Sequence, residues 1–263
     1  YEAVHDIRSW TDLKNRLDSD RRCYGFFHPR LPNEPLIFVE VALVEQISGS
    51  ITPLLDEAIA PIGIGKATTA VFYSISNTQT GLRGVSFGDS LIKHVVETLQ
   101  QEFPRLRTFA TLSPIPGFRA WLGKNASAML ESLDERRRNE LGRAVGIDSP
   151  QAAHLLDAAD KAQALEEGSP VRQMLHQCAA YYLARVLADG KPVDPVARFH
   201  LGNGARVERL NWAGDPSAKG HKQSYGMMVN YLYDLKRIDK HRSLLAEGKV
   251  AASREIESLS AFR

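Results

Sequence analysis

Residues 68–112 read TTAVFYSISNTQTGLRGVSFGDSLIKHVVETLQQEFPRLRTFATL, and the three parts of this stretch decide the fold. Thr68 to Ser76 is a β-branched and aromatic run of the kind that fills a central strand. Leu91, Ile92, Val95, Val96 and Leu99 recur on one helical face, with Lys93, Glu97, Gln100 and Gln101 opposite. This predicts a helix from about Gly88 to Phe103, ended by Pro104. Thr108 to Leu112 supplies a second strand, which Ser113-Pro114-Ile115-Pro116-Gly117 stops. Between the first strand and the helix lies Q-T-G-L-R-G-V-S-F-G, Gln79 to Gly88. Glycines there let the backbone approach an anion, and the free N–H groups of a helix start favour phosphate, with a pyrophosphate as the natural guest. A tight strand-to-helix turn is the plainer reading. The motif is neither a P-loop, since no Gly-Lys-Ser/Thr follows, nor a G-x-G-x-x-G turn.

Working outward, Ser9 and Asp12 resemble a capping box, and Trp10, Leu13 and Leu17 fall at helical spacing, so a short helix opens the chain. Cys23 to His28 and Leu36 to Val44 read as a strand pair across the turn-rich Pro29-Arg30-Leu31-Pro32-Asn33. From Phe118 to about Gly190 the pattern is helical: Asp134 to Arg143, Ala152 to Glu167 and Val171 to Leu187. Ala197 to Leu201 and Arg206 to Trp212 read as a hairpin around Gly202-Asn203-Gly204, with Phe199 and Leu201 on one face and His200 on the other. A last helical stretch from Met227 carries Tyr231, Tyr233 and the basic run Lys236, Arg237, Lys240, His241 and Arg242. The fold class is α+β, a mixed central sheet flanked by helices with a helical insert at about 118–190, all in one domain over 1–263.

At 263 residues and 43% hydrophobic the chain can bury a substantial core. Its 33 basic against 31 acidic side chains argue against a nucleic-acid partner. Cys23 and Cys178 stand in no metal-ligand or CxxC spacing, so neither a disulfide framework nor a zinc site is expected. No apolar run approaches the roughly 20 residues a membrane helix needs. His28, His94, His154, His176, His221 and His241 form no metal-ligand pair and read as structural or surface residues.

The strand, glycine-containing loop and helix of 68–103 match the acyl-CoA-binding core of the Gcn5-related acetyltransferase (GNAT) superfamily. More specifically, VFYSISNTQTGLRGVSFGDSLIKHVVETLQQEFPRL, LSPIPGF, FHLGNGARVERLNW and SYGMMVNYLY occur in an order that resembles the malonyl-CoA decarboxylases, over Tyr1 to about Arg237. The resemblance implies an acetyltransferase-like fold with coenzyme A between two splayed strands, here Thr68 to Ser76 and Thr108 to Leu112. It implies catalytic roles for Ser113, His200 and Tyr233. The positions it implies for contact with coenzyme A are Ser74, Ser76, Gln79, Gly81, Leu82, Arg83, Gly84, Val85, Phe87, Gly88, Pro116 and Gly117. Members of the family carry an N-terminal helical domain, and this chain begins where their catalytic part begins. The end Ser260-Ala261-Phe262-Arg263 differs from the targeting tripeptide of peroxisomal members, so a cytoplasmic homo-oligomer is expected.

By residue chemistry alone, Ser113 before Pro114 is a turn former, and a histidine in a strand is commonly a hydrogen-bonded structural residue. Met227, Met228, Tyr231 and Leu232 by themselves read as an apolar helical face. With the resemblance, the expected reaction is decarboxylation of malonyl-CoA to acetyl-CoA and CO2 through a thioester enolate. Ser113, His200 and a backbone N–H near Ser113 or Pro116-Gly117 would supply hydrogen bonds to the oxyanion and the departing carboxylate. Whether His200, Tyr233 or a water protonates the α-carbon stays open. No cofactor or metal beyond the thioester substrate is called for. Two rivals remain: an N-acetyltransferase on the same scaffold, and a non-catalytic malonyl-CoA-binding regulatory module.

Overall fold

The structure, a computed structural model, describes residue 2 and residues 4–79 and 91–261. Helix α1 (Trp10–Asn15) starts at Ser9, whose hydroxyl accepts the Asp12 N–H at 2.9 Å. Strands β1 (Arg21–Phe26) and β2 (Ile37–Val44) pair antiparallel, as the two runs and the turn between them predict. After the short α2 (Thr52–Leu55), β3 (Thr69–Asn77) pairs antiparallel with β2. Helix α3 (Leu91–Glu102) buries Leu91, Ile92, Val95, Val96 and Leu99, the face its periodicity marks out. It crosses over to β4 (Thr108–Thr111), which lies parallel to β3.

Ser113–Pro114 form a two-residue strand, β5, followed by four helices: α4 (Phe118–Glu131), α5 (Glu135–Val145), α6 (Ala152–Asp160) and α7 (Pro170–Arg185). A small ribbon of β6 (Leu187–Ala188) and β7 (Lys191–Pro192) leads to α8 (Pro195–Gly202) and β8 (Arg206–Asn211). Then come α9 (Ala218–Ser224), β9 (Met228–Leu232), α10 (Ile238–Ala246) and α11 (Arg254–Leu259). The main sheet runs β1-β2-β3-β4-β9-β5, with β8 on the other edge of β9. This mixed sheet with flanking helices is the α+β architecture expected of the sequence.

Two stretches differ from their sequence reading. Residues 195–202 are helix rather than the first arm of a hairpin. Asp194 caps it, its Oδ1 accepting the Val196 and Ala197 N–H groups at 2.9 and 3.0 Å, and Pro195 stands where a helix tolerates proline best. Five residues of alternation are too few to outweigh that start signal. Residues 228–232 are strand rather than helix. Met228 through Tyr231 are all buried because β9 has neighbours on both edges, and a short run buried throughout, Asn230 included, carries no period to separate strand from helix. The helix expected from Met227 therefore begins only at Ile238, as α10, beyond Lys236 and Arg237.

The parallel pair β3/β4 keeps register only from Thr69↔Thr108 to Phe72↔Thr111, and its last bond is Leu112 N–H to the Phe72 carbonyl at 2.9 Å. From there β3 continues to Asn77 with β2 alone, while the other chain turns into β5 and pairs with β9. Beside this divergence the β2–β3 register slips between Glu40 and Val41, which leaves Tyr73 as the extra residue of a β-bulge. The two central strands thus open into a cleft.

Candidate active site

A cavity of about 250 Å³ occupies the splay, walled on one side by Phe72, Tyr73, Ser74, Ile75 and Asn77 of β3 and on the other by Leu112, Ser113 and Pro114. Helix α8 closes it with Val196, Phe199 and His200, which share one face at i, i+3 and i+4. Ser113 and His200, 87 positions apart in sequence, meet here, with 3.2 Å between Ser113 Oγ and His200 Nε2. His200 Nδ1 lies 2.8 Å from the Tyr233 hydroxyl. Ser113 Oγ donates to Thr111 Oγ1 at 2.8 Å, and Thr111 Oγ1 also accepts the Tyr231 N–H at 3.1 Å. The alternation of a strand puts Thr111 and Ser113 on one face, and Tyr231 and Tyr233 likewise. Tyr231 stacks on the His200 ring, centroids 4.7 Å apart, and Phe199 meets it edge-on at 5.0 Å.

These contacts fix the protons. Burial alone pushes His200 down to about 3, so the imidazole is neutral at any ordinary pH. The Tyr233 phenol, raised by its own burial, keeps its hydrogen, and His200 Nδ1 is its acceptor among the described residues. Tyr233 therefore donates to Nδ1, which puts the imidazole hydrogen on Nε2, aimed at Ser113. Ser113 in turn passes its own hydrogen to Thr111. The result is an uncharged, directional chain from Tyr233 through His200 to Ser113.

Gly117 departs from its expected role. Its N–H donates to Asp194 Oδ2 at 3.2 Å and so is not free for an oxyanion. Tyr182 also reaches that carboxylate oxygen at 3.5 Å, and a Cβ on Gly117 would run into the Tyr182 hydroxyl. Burial raises the Asp194 carboxyl, and three backbone N–H bonds oppose the rise. Pro116 and Gly117 lie outside the cavity lining, as does Gln79, whose side-chain amide donates to Glu34. Gly81, Leu82, Arg83, Gly84, Val85, Phe87 and Gly88 lie outside the described residues.

Ser74 lines the cleft and Ser76 sits buried beside it. Both hydroxyls turn to the Glu2 carboxylate, Ser74 at 2.8 Å and Ser76 at 3.4 Å. Glu2 belongs to a buried ionic group that sequence reading missed. Arg16 Nε bonds Asp12 Oδ1 at 2.7 Å, and its Nη1 lies 3.3 Å from Glu40 and 3.8 Å from Glu2. The signal is Asp12 and Arg16 at i, i+4, whereas the helical spacing of Trp10, Leu13 and Leu17 draws the apolar face toward Trp10 and Leu17. Those two are 86% and 61% exposed, and the buried face is the charged one.

Among the described residues no helix is long and apolar enough to cross a membrane, and no three His, Cys, Asp or Glu are grouped to hold a metal ion. Cys23 and Cys178 are free thiols.

The family model described as malonyl-CoA decarboxylase C-terminal domain matches residues 1–262. The mitochondrial malonyl-CoA decarboxylase of Anser anser anser is 41% identical over 243 residues, covering 89% of this chain and 48% of its own length. That of Rattus norvegicus is 39% identical over 271 residues, covering 99% and 55%. The crystal structure of malonyl-CoA decarboxylase from Cupriavidus metallidurans superposes with a TM-score of 0.86 at 49% identity, over 97% of this chain and 62% of that one. The corresponding structure from Agrobacterium vitis gives 0.84 at 48%, over 99% and 62%. The chain spans about half the length of the curated relatives it matches.

Proposed function

The chain belongs to the malonyl-CoA decarboxylase family, and from that premise we propose that it converts malonyl-CoA to acetyl-CoA and CO2, with Ser113 and His200 stabilising a thioester enolate. The observation that carries this reading is the neutral chain Tyr233–His200–Ser113 on the wall of the cleft between the splayed strands. Decarboxylation leaves the bonding electron pair on the α-carbon, from which it spreads onto the thioester oxygen. Negative charge therefore moves from the carboxylate to the carbonyl oxygen.

The cleft favours that movement. None of its described lining residues is charged, so a malonyl carboxylate gains no ion pair that would hold it back. The Nε2–H of His200 and the hydroxyl of Ser113 are donors for the oxygen that gains charge. Donors fixed in place before the reaction are worth about 3–4 kcal/mol each at comparable sites. Ser113 need only turn its hydrogen from Thr111 to the substrate. A nucleophilic role for Ser113 is disfavoured, because His200 Nε2 already carries a hydrogen and Nδ1 faces a phenol where a Ser-His triad has a carboxylate. Loss of CO2 and gain of one proton balance the reaction, so no further cofactor enters the scheme.

Purified protein given malonyl-CoA alone should release acetyl-CoA and CO2. His200→Ala and Ser113→Ala should each lower kcat by about 10²–10³-fold while leaving the protein folded. Tight malonyl-CoA binding without turnover by the unaltered chain would make it a binding module. An amine-dependent release of the coenzyme A thiol would make it an acetyltransferase, and absence of binding would remove the coenzyme A reading.

A further inference from the structure

Enolate protonation needs a proton, and the wall that carries His200 has none to spare. If His200 gave up its Nε2 hydrogen, Tyr233 would have to refill the ring at Nδ1. That would leave a phenolate at a fully buried position where burial already holds the phenol protonated. The opposite wall holds a proton of another kind. The Glu2 and Glu40 carboxyls crowd the same Arg16 nitrogen, Nη1, at 3.8 and 3.3 Å, and two buried carboxylates sharing one cation favour a proton on one of them.

The local charges agree. Asp12, Glu2 and Glu40 surround the single guanidinium of Arg16, with side-chain exposures between 1% and 7%. Burial and the charge of Glu2 push Glu40 up to about 7. Glu2 is held ionised by the His5 and Val4 N–H groups, the Ser74 hydroxyl and Arg16. The other titratable groups facing the pair are Tyr73 on β3 and Cys23 on β1, both raised by burial and by Glu40, and His5, lowered by burial. Arg21 on β1 is paired with Asp20 at 2.7 Å.

We propose that Ser74 delivers the proton to the α-carbon and that the Glu2–Glu40 carboxyl pair resupplies it. In the resting arrangement the proton sits on Glu40 and Ser74 donates to Glu2 at 2.8 Å. When the shared proton passes to Glu2, that carboxyl donates to Ser74 Oγ and the serine's own hydrogen is free to turn into the cleft. The enolate's α-carbon forms its new C–H bond with that hydrogen, Ser74 takes the proton of Glu2, and the pair is left with one negative charge more. A proton from solvent restores it. Ser74 is the catalytic residue in this scheme, while Glu2 and Glu40 act through it.

The inference rests on the decarboxylase reading, and turnover by the unaltered protein tests that reading separately. The relay is filled only while the pair keeps its proton, so kcat should fall as pH rises through about 7. Glu40→Gln and Glu2→Gln should each lower kcat by about 10²-fold, leave KM within about twofold and flatten the alkaline limb. Glu40→Asp, which restores an ionisable carboxyl, should bring the limb back. Should a glutamine variant fail to fold, Ser74→Ala carries the same expectation for kcat. Undiminished kcat in Ser74→Ala, or an unchanged alkaline limb in a folded Glu40→Gln protein, would overturn the relay and leave the decarboxylase standing. No turnover by the unaltered protein would remove both.

Discussion

The two walls of the cleft hold their polar groups by opposite means. On the α8 and β9 side, His200, Tyr231 and Tyr233 are buried as neutral rings, stacked or edge-on, and a single chain of hydrogen bonds sets the hydrogens of His200 and Tyr233. On the β2 and β3 side, burial is made tolerable by charge: one arginine serves three carboxyls, and one of the two in surplus, Glu40, keeps a proton. The difference teaches that the cleft separates two tasks. A neutral donor keeps its hydrogen throughout the pH range of the cell and so suits charge stabilisation. A crowded carboxyl pair exchanges its proton near neutrality and so suits supply.

The sharpest way to break this contrast is Arg16→Met. Removing the cation from a buried group leaves uncompensated carboxylates, which costs about 3–5 kcal/mol in comparable proteins. Urea unfolding at neutral pH should show a loss of that size. A loss below about 1 kcal/mol would mean that the carboxyls are largely neutral and that the two walls are alike.

Acid should instead act on the neutral wall. His200 stands at about 3 when folded, against an ordinary value of 6.5, so between those values the unfolded chain binds a proton that the folded chain does not. Its contribution to stability is whole above about pH 6.5 and is lost as pH falls, by about 1.4 kcal/mol per unit, or roughly 2 kcal/mol by pH 5. His176, half-buried beside Trp212 and pushed down to about 4 by desolvation, adds a slope in the same direction. Unfolding free energies at pH 7, 6 and 5 should therefore decline, and His200→Gln should decline less steeply by about one proton's worth. Equal slopes would place a charged imidazole in the cleft.

Much of the scaffold was legible because its elements carry a local signal of composition, turn or period. The β1–β2 pair is two apolar and aromatic runs across a proline-rich turn, α3 shows one apolar face, and β3 is too rich in β-branched and aromatic residues to be anything but a central strand. The misread stretches are those in which tertiary context outweighs pattern. Residues 228–231 are buried on every side, and 195–202 are governed by the Asp194 cap. Helix α1 is the extreme case, since Trp10 faces water and Leu13 is only half-buried while Asp12 and Arg16 face the core. The triad members stand 87 and 33 positions apart, a separation no local pattern spans, so they were legible through ordered motifs alone. Thr111, which takes the hydrogen of Ser113, carried no such motif.

The smallest effect separates holding a ring from using it. Tyr233→Phe keeps the aromatic packing against Phe72 and His200 and removes only the hydroxyl that fixes the imidazole hydrogen on Nε2. Two tautomers then compete, and His200 Nδ1 is left without its donor in a buried site, a penalty of about 1–2 kcal/mol. Expressed in rate, kcat should fall about tenfold with KM little changed, because the lost preference concerns the donor to the transition state. Nitrogen NMR of the His200 ring would show the cause directly, as a single Nε2–H tautomer in the unaltered protein and a mixture in the variant. A variant that keeps both full activity and the single tautomer would show that packing by Tyr231 and Phe199 suffices to set the ring, and that the hydroxyl of Tyr233 is a bystander.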